Sequence, residues 1–556
     1  MGVPGLSTFI RERSTTAAKS IHLTDESLHK KPLIIDGWNL VYHIASRLHW
    51  HHGGHYARFI LKLKQFVKAL EPHYELLFIF DGPSSDAKIS TKTNRELQKI
   101  GIAARYIKSL QSSNVSNASV KTLLPPLIIT ACIQALRDLD IPFRFHTSEA
   151  DLEIARIAKE RQGIVLSSDS DFFLLDVDIL YLPNLVSQDE SVTGTLYERE
   201  AVQSMFKLNQ EYVPLFALLV GCDYLSDPDR ILVDKLLGSF SSRIPHVLSL
   251  LNQLKGSFEE GVESLFETLK GTESQKESWT RLCLRIRDEF VTAPTAPELS
   301  NDVISLYQSG DLHYKLFEVL AMNRFWCSMH IEDPDRKSSW QITSSLRSIT
   351  HQKLYGRYSS SSENSVTTYI RRGTRYVTES EVVVPSNVGV RDSKEEYFKI
   401  MESSLILDKD LISFAPSLAS ISYLSSITDI SDTILRAILY SLVAEPKETF
   451  TTTNTKRTKE EIRVLSQYSN ILFHSLLLSQ VLGIDEEEWM RSHIKYDGDM
   501  ICEALDNHVV VTNQALFDKM YSLFSKEKIE KPITPKIKVR KTSTNAFDML
   551  SDGCVF

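Results

Sequence analysis

Apolar runs at residues 33–35, 77–80 and 164–166 each end shortly before aspartates, and this pattern constrains the fold more than any other feature of the chain. The acids that follow the three runs are Asp36, Asp81, Asp169 and Asp171. Short continuous apolar runs are typical of strands that are buried on both faces. In an open parallel sheet such strands end at one common edge, where ligands bind. The pattern therefore predicts a sheet that brings these carboxylates together.

Residues 1–235 alternate such runs with helical patterns, which indicates an α/β domain with a mostly parallel sheet. The predicted strands are residues 32–35, 75–80, 142–145, 164–166 and 179–182. The predicted helices are residues 56–70, 128–139, 152–160, 198–206 and 214–220. Pro214 suits the first turn of the last of these helices, and Gly221 suits its end.

A chain of 556 residues is too long for one typical hydrophobic core, so we expect several domains. After the α/β domain we predict a helical extension over residues 236–332. A linker with a β-hairpin follows over 333–395, and a helical C-terminal domain over 396–524. Residues 525–556 are basic and polar and predict a disordered tail.

The net charge of −8 does not by itself indicate a nucleic-acid-binding protein, but a site that holds metal ions is itself acidic. The six cysteines are scattered and form no CxxC pair, so the sequence favours neither a zinc site nor a disulfide framework. Together with the absence of a signal-peptide pattern at the start, this predicts an intracellular protein.

Three more acids are expected at the same edge of the sheet. Glu149 and Asp151 begin the helix predicted at 152–160, and Asp223 follows the helix at 214–220. Seven carboxylates repel one another unless cations neutralise them. Oxygen ligands without Cys or His are typical of Mg²⁺ or Mn²⁺. Two such ions, roughly 4 Å apart, are suited to phosphodiester hydrolysis.

Each acid also has a structural interpretation. Asp36-Gly37 and Asp81-Gly82 are common turn dipeptides. Ser148 is placed to be the N-cap of a capping box, and Asp169 or Asp171 to cap a short helix over residues 172–175. Taken singly, each acid favours the structural interpretation. The repetition of the strand-then-aspartate pattern favours a shared site, and a capping role is compatible with metal binding.

A basic stripe follows Asp81. Its members are spaced by four, three and four residues, so they share one face if the segment is helical. They are Lys88, Lys92, Arg95 and Lys99. Beside the acids, the stripe predicts contact with a phosphate backbone, although a solvated helix face is the alternative. Tyr42 is a candidate for stacking on a base, and core packing is its alternative.

Two further features give weaker signals. The histidines at positions 49, 51, 52 and 55 lack ordered ligand spacing, so we expect an exposed loop there rather than a metal site. The tail holds a short basic run, which suits nuclear import or nucleic-acid binding. Its members are Lys536, Lys538, Arg540 and Lys541.

These residues together resemble the flap endonuclease and xeroderma pigmentosum group G nuclease superfamily. The resemblance begins at Met1-Gly2-Val3-Pro4-Gly5-Leu6 and continues through each acidic motif in order. Those motifs are Ile35-Asp36, Phe80-Asp81-Gly82, Ser148-Glu149-Ala150-Asp151, Ser168-Asp169-Ser170-Asp171 and Gly221-Cys222-Asp223-Tyr224. The Leu-Ser-Thr-Phe start, the Ile-Asp-Gly-Trp-Asn-Leu segment and the long helical C-terminal half resemble its asteroid subfamily.

The resemblance implies a PIN-like nuclease core with two divalent metal ions. It implies that the seven carboxylates are the ligands: Asp36, Asp81, Glu149, Asp151, Asp169, Asp171 and Asp223. Lys88 and Arg95 match the basic residues over the scissile phosphate, so they are the catalytic candidates. Gly2 and Tyr42 match positions that contact DNA, and Lys92 and Lys99 extend that nucleic-acid surface along the stripe.

Three departures from the superfamily pattern bear on the substrate. Asp151 replaces a glutamate and shortens the reach of the carboxylate. Residues 225–230 lack the glycines of the helix–turn–helix that grips duplex DNA, and residues 109–119 are polar and uncharged where a threading arch is expected. We therefore expect a nuclear DNA endonuclease that acts in repair on substrates with single-stranded portions, such as a 3′ overhang, a flap or a single strand. A catalytically silent scaffold that binds RNA or protein, and an RNA endonuclease, are the alternatives. A protein partner for the C-terminal half is also expected.

Overall fold

A computed structural model gives the structure of this chain. It describes residues 3–13, 17–23, 30–48, 50, 54–110, 123–188, 191–238, 242–291, 298–359, 364–386, 393–444, 457–506, 511 and 513–525. The chain divides into two compact units, each assembled from three separate stretches. Unit 1 comprises residues 1–43, 65–94 and 140–297, and unit 2 comprises residues 44–64, 95–139 and 298–556. The contiguous domain boundaries expected from the sequence stay a prediction.

The strands of unit 1 form one sheet in which the central pairs are parallel. They are β1 (Ala18–His22), β2 (Lys31–Asp36), β3 (Tyr74–Phe80), β4 (Phe143–Phe145), β5 (Ile164–Ser167), β6 (Asp178–Tyr181), β7 (Val186–Gln188) and β8 (Ser191–Tyr197). The strand order is β1-β8-β6-β5-β2-β3-β4, with β7 paired to β8. The run from β6 to β4 is parallel throughout, and β1, β7 and β8 pair antiparallel. The predicted α/β class with a mostly parallel sheet and a helical C-terminal region is confirmed.

Helices cover most of the remaining described residues. In the first half of the chain they are α1 (Leu6–Arg13), α2 (Gly37–Ala45), α3 (Tyr56–Leu70), α4 (Ile89–Ser109), α5 (Ile128–Asp138), α6 (Asp151–Glu160), α7 (Arg199–Phe206), α8 (Val213–Val220), α9 (Asp227–Leu237), α10 (Arg243–Leu251), α11 (Phe258–Thr268) and α12 (Glu273–Val291). In the second half they are α13 (Asn301–Gln308), α14 (Tyr314–Met322), α15 (Ser339–Ile342), α16 (Ser344–Tyr358), α17 (Ser393–Ile400), α18 (Ala415–Ile427), α19 (Asp432–Val443), α20 (Lys459–Leu482), α21 (Glu487–Ser492), α22 (Gly498–Leu505) and α23 (Gln514–Ser525).

The register of unit 1 places the ends of its central strands side by side. Ile35 near the end of β2 pairs with Phe78 of β3 on one side and with Leu166 of β5 on the other. The last residue of β3, Phe80, pairs with Phe145 at the end of β4. Because the strands are parallel, the residues that follow them emerge at one edge of the sheet. The strand-then-aspartate pattern is thus explained by topology.

The capping residues of two helices near this edge were predicted from the sequence, one wrongly and one correctly. The expectation that Ser148 is an N-cap is wrong: α6 begins at Asp151 with Ala150 as its N-cap, and the Ser148 hydroxyl lies 3.1 Å from His146 Nδ1. The backbone amide of Ala150 instead donates to a carboxylate that lies far away in the sequence. The capping role expected for Asp169 is present, because its side chain accepts from the Asp171 amide at the start of a 3₁₀ turn, Ser170–Leu174.

Unit 2 is organised around α20, which is buried along nearly its whole length. It packs against α16 and α18, while α19 packs on α22. A three-stranded sheet consists of β9 (Arg324–Trp326), β10 (Asn364–Arg372) and β11 (Arg375–Val383) in the order β11-β10-β9. Strands β10 and β11 form an antiparallel hairpin within the segment expected to hold one. That segment, interpreted as a linker, also contains α15 and α16, whose buried residues include Trp340 and Leu354.

The expectation of an exposed histidine loop is wrong where the structure describes it. His55 is fully buried in unit 2, and its Nε2 lies 3.0 Å from Oδ1 of Asp499. The neighbouring Trp50 is also buried and donates from Nε1 to the carbonyl oxygen of Ala45 at 2.8 Å. A polar segment is buried here because distant residues supply its partners.

Several expectations lie outside the described residues. They concern Gly2, the histidines at 49, 51 and 52, most of residues 109–119, and the basic tail from 526 onward. Within the ranges that the structure describes, no helix combines the length and hydropathy that crossing a bilayer requires.

Candidate active site

Six of the seven predicted acids lie together at the strand ends of unit 1. They interact electrostatically: the charge of each one raises the pKa of another member, or its own pKa is raised by the charge of another member. They are Asp36, Asp81, Glu149, Asp151, Asp169 and Asp171. We call these six residues the acidic cluster. Asp36 is buried, and the other five are half-buried.

Asp36, the last residue of β2, is fixed by three hydrogen bonds. The backbone amide of Asn39 donates to Oδ1 at 3.1 Å, so Asp36 caps the start of α2. The Asn39 side chain donates to Oδ2 at 2.5 Å, and the Ser167 hydroxyl donates to the same oxygen at 2.8 Å. Ser167 is the last residue of β5, so the neighbouring strand orients this carboxylate.

Asp81 follows β3 and is tied to the start of α6. Its Oδ1 accepts from the Ala150 amide at 2.7 Å, and its carbonyl oxygen accepts from Trp38 Nε1 at 3.3 Å. Gly82 is required here, because a β-carbon at this position would overlap the backbone carbonyl of His146. The close approach of these two backbone segments sets the place of Asp81 beside Glu149 and Asp151.

Asp171 is held from the N-terminal segment of the chain. The Val3 amide donates to Asp171 Oδ1 at 2.8 Å, and the Ser170 hydroxyl contacts the Val3 carbonyl oxygen at 3.3 Å. Val3 is itself buried in the core of unit 1 with Leu6 and Ile10. The N-terminal segment, which carries the first motif of the resemblance, is thus part of the site.

Four members of the acidic cluster have raised pKa values. Burial raises the pKa of Asp36 to about 6 and, with the charges of Glu149 and Asp36, the pKa of Asp81 to about 8. Burial and the charge of Asp169 raise the pKa of Asp171 to about 7. Burial, with the charges of Asp81 and Asp169, raises the pKa of Asp151 well above its usual range. Such shifts are typical of buried carboxyl groups that lie close to other carboxyl groups.

Lys88 contributes a cation to the cluster. Its Nζ donates to Glu149 Oε2 at 2.8 Å, and both side chains are largely buried, with 15% and 16% exposed. The same ammonium lies 4.4 Å from the ring centre of Tyr224. Burial alone would lower the pKa of Lys88, but the charges of Glu149 and Asp151 and the hydrogen bond to Glu149 outweigh it and raise the pKa well above its usual range. Lys88 is therefore charged at neutral pH.

The rest of the basic stripe lies on α4. Lys88 ends a 3₁₀ turn, Asp86–Lys88, directly before the helix, and the other three members follow within it. In unit 2, Lys99 Nζ bonds Glu96 Oε1 at 2.8 Å. Lys92 and Arg95 are half-buried. Tyr42 lies on α2 with 38% of its surface exposed, which a stacking role requires.

Asp223, the seventh acid, is connected through its backbone. Its carbonyl oxygen accepts from the Thr91 hydroxyl at 2.9 Å. The chain then enters α9 through a capping box formed by Ser226 and Asp229, and Arg285 bonds Asp229 at 2.6 Å. The segment that departs from the superfamily pattern is thus a capped helix.

The donor chemistry of the acidic cluster fits a divalent cation. The side chains offer carboxylate oxygens, which Mg²⁺ prefers, and added positive charge would stabilise the ionised form of the four members whose pKa is raised, Asp36, Asp81, Asp151 and Asp171. Among the described residues, however, no group of three or more acidic, histidine or cysteine side chains is already arranged as a ligand set. The carboxylates would have to rotate to converge on an ion.

Sequence reasoning missed four residues that shape this site. Asn39 and Ser167 orient Asp36, and Tyr224 lies under Lys88. Glu289 on α12 has a raised pKa, caused mainly by burial, and it senses the charges of Lys88 and Glu149. Asn39 and Tyr224 lie within the motifs of the resemblance, so the sequence could have indicated them as site residues. Glu289 is far from every acidic motif in the sequence.

Several known proteins are similar to this chain in sequence. The chain is 26% identical over 391 residues to the zebrafish (Danio rerio) "Single-strand DNA endonuclease ASTE1" and 27% identical over 393 residues to its mouse counterpart, each match covering 64% of this chain. It is 33% identical over 187 residues to the Drosophila melanogaster "Protein asteroid", a match that covers 33% of this chain and 20% of that protein. The resemblance to the asteroid proteins is confirmed. The chain spans about half the length of the vertebrate relatives it matches, 54% and 56%.

No protein-family model matches the sequence. Among solved structures, the chain is similar to the catalytic core of Rad2 in complex with DNA, at 15% identity over 57% of this chain and 94% of that one, with a TM-score of 0.34. It is also similar to human GEN1 in complex with Holliday junction DNA, at 17% identity over 72% of this chain and 92% of that one, with a TM-score of 0.35.

Proposed function

We propose that this chain is a metal-dependent endonuclease that hydrolyses phosphodiesters in DNA with single-stranded regions. The observation that carries the proposal is the acidic cluster with Lys88 at its edge: six carboxylates from distant parts of the sequence meet where parallel strands end. The cost of gathering like charges is explained if a cation and a phosphate complete the site. A role in DNA repair and a nuclear location are part of the proposal.

The proposed roles of the individual residues are as follows. The acidic cluster and Asp223 bind Mg²⁺, with two ions as the full complement and Mn²⁺ as a substitute. Held by these carboxylates, Mg²⁺ would supply activation of a water for attack at neutral pH and charge stabilisation at the leaving oxygen. Lys88 offsets the negative charge that develops on the phosphate, as a preorganised cation in a partly buried site. Asn39 and Ser167 hold Asp36 at the end of β2 by hydrogen bonds to its carboxylate.

The substrate follows from two lines of support. The vertebrate relatives carry the name single-strand DNA endonuclease. In this chain, the segment after Asp223 forms a helix capped by Ser226 and lacks the glycines of a helix–turn–helix that binds duplex DNA. We assign Tyr42 to a stacking contact with a base, and Arg95, Lys92 and Lys99 to the path of the strand. A protein partner for the C-terminal half is also proposed.

The test is cleavage of end-labelled oligonucleotides by purified protein: single-stranded DNA, a 3′ overhang, a 5′ flap, a duplex and single-stranded RNA. We expect DNA with single-stranded portions to be cut in Mg²⁺ or Mn²⁺ and to stay intact in EDTA. Asp81→Asn should remove the activity, while Asp234→Asn, an exposed carboxylate of the same unit that pairs with Arg243, should retain it. If the protein cuts none of these substrates, the proposal is overturned. If Asp81→Asn remains active, the assignment of the active site is overturned.

The second candidate is a catalytically silent scaffold that binds RNA or protein. It is favoured by one observation: within the described part of the chain, no set of side chains is already arranged to hold a metal. The two candidates differ in metal binding. Calorimetric titration with Mn²⁺ should show uptake by the wild type that Asp81→Asn weakens; the scaffold predicts no uptake by either protein. Cleavage of RNA alone would favour an RNA endonuclease.

A further inference from the structure

A cavity of about 470 Å³ opens beside the acidic cluster in unit 1, and no role in the proposed chemistry uses it. One wall is the face of α6 that carries Leu152 and Ala155, and apolar atoms of Leu174 and Phe290 complete it. A cavity of this size falls in the range of about 300–1,000 Å³ that small ligands occupy. Apolar walls of this kind suit a flat, weakly hydrated group.

Polar side chains stand at the rim of the same cavity. Gln210 offers both a hydrogen-bond donor and an acceptor, which is what the edge of a nucleobase requires. Lys159 and Arg156 line it from α6 with roughly half of each side chain exposed. Arg156 pairs with Glu153, which also lines the cavity, and with Glu160, while Lys159 lies 4.0 Å from Asp176. An apolar slot with polar side chains at its edge is typical of sites that hold an unstacked base of a single strand.

A continuous set of contacts joins this cavity to the site of the proposed chemistry. Glu149 lines the cavity and also accepts the hydrogen bond from Lys88 at 2.8 Å. Lys88 lies over the ring of Tyr224, and Tyr224 meets Phe290 edge to face at 6.0 Å between ring centres. Phe290 is half-buried and lies on the cavity wall. A strand whose phosphate lies at Lys88 therefore has a base within reach of Phe290.

We propose that this cavity receives one unstacked nucleobase of the substrate strand, next to the cleaved phosphodiester, with Phe290 as the stacking platform. The inference rests on the proposed nuclease function and deepens it. A base that is paired in a duplex cannot turn into the cavity without the cost of unpairing and unstacking. The cavity therefore selects strands whose bases are already unpaired, and it supplies a preference for single-stranded DNA that does not depend on a duplex grip.

The test is a scan with single abasic nucleotides. A short single-stranded DNA oligonucleotide of fixed sequence carries one abasic nucleotide, placed at each position in turn. Its dissociation constant is measured in EDTA by fluorescence anisotropy, so that binding is separated from cleavage. One position should weaken binding to the wild type at least about fivefold, the loss expected for a base–aromatic stack. Phe290→Ala should weaken binding of the intact oligonucleotide by a similar factor and make all positions equivalent.

Two further variants keep the test informative. Phe290→Trp retains an aromatic face and should keep the position dependence. Phe143→Ala, a half-buried phenylalanine of β4 outside the cavity, should bind as the wild type does. A scan that is flat within twofold for the wild type overturns the inference, as does a position dependence that survives in Phe290→Ala. If the scan succeeds but no substrate is cut in Mg²⁺, the base site stands and the nuclease proposal fails. If DNA is cut but the scan is flat, the nuclease proposal stands and the base site fails.

Discussion

Replacing Lys88 by methionine should weaken both the fold of unit 1 and the reaction, because the side chain serves both. Methionine keeps the length of the apolar stem but removes the ammonium that bonds Glu149 at 2.8 Å and lies over Tyr224. Breaking a buried ion pair by removing one partner costs about 3–5 kcal/mol. Exposure of 15% and 16% for the two side chains lowers this value, and loss of the cation–π contact adds about 0.5–1 kcal/mol.

We therefore expect Lys88→Met to lower the free energy of unfolding by about 2–4 kcal/mol in EDTA. Urea unfolding followed by circular dichroism measures this value, and excess Mg²⁺ should reduce the loss, since a bound cation replaces part of the missing charge. Single-turnover cleavage should fall at least about 100-fold, the effect of removing one preorganised electrostatic group. Metal affinity should rise rather than fall, because Lys88 is not a ligand and a cation that restores part of the lost stability binds the folded variant more tightly.

Lys19→Met provides the matched control. Lys19 pairs with Glu198 at 2.5 Å in the same unit, but 56% and 37% of the two side chains are exposed. Surface pairs of this kind contribute at most about 1 kcal/mol, and cleavage should be unchanged. If Lys88→Met cost no more than Lys19→Met, and cut DNA within twofold of the wild type, both roles of Lys88 would be refuted.

Three other predictions concern the acidic cluster and the core of unit 2. Asp81→Asn should raise the urea midpoint at pH 7 in EDTA, because the pKa of Asp81 is raised to about 8 in the folded protein, so folding must protonate a carboxyl that is ionised in the unfolded chain, and asparagine removes this cost; a lower midpoint would contradict this. Arg371→Met should cost about 3–5 kcal/mol in urea unfolding, since it leaves buried Glu332 without the partner now 2.8 Å away. Burial lowers the pKa of His474 to about 3, so the folded protein resists the proton that the unfolded chain takes up below about 6.5. The contribution of His474 to the free energy of unfolding is fully present above a pH of about 6.5 and decreases as the pH is lowered below that value. When the pH is lowered from about 7.5 to 5.0, the decrease in the free energy of unfolding should therefore be about 2 kcal/mol smaller for His474→Gln than for the wild type.

The sequence determined the central parallel strands of unit 1 and the order of the acids, while β1, β7 and β8 were not predicted. Apolar runs predicted the strands β2 to β6 to within one or two residues, and the helix expected over residues 56–70 is α3. These predictions succeed because strand and helix periodicities are local properties of the chain. Parallel topology then gathers the residues after each strand, so Asp36 and Asp81 could be expected near one another before any contact was known.

Only the tertiary structure decided what each side chain meets. Ser148 fails to cap α6 because the Ala150 amide is taken by Asp81, 69 residues earlier in the sequence. His55 is buried because Asp499 reaches it from the far end of the chain. The placement of Tyr224 beneath Lys88, and the cavity beside Phe290, likewise depend on side chains far apart in sequence. Sequence patterns report the period of burial along an element; partners, charge balance and cavities arise from contacts between elements, which no local pattern encodes.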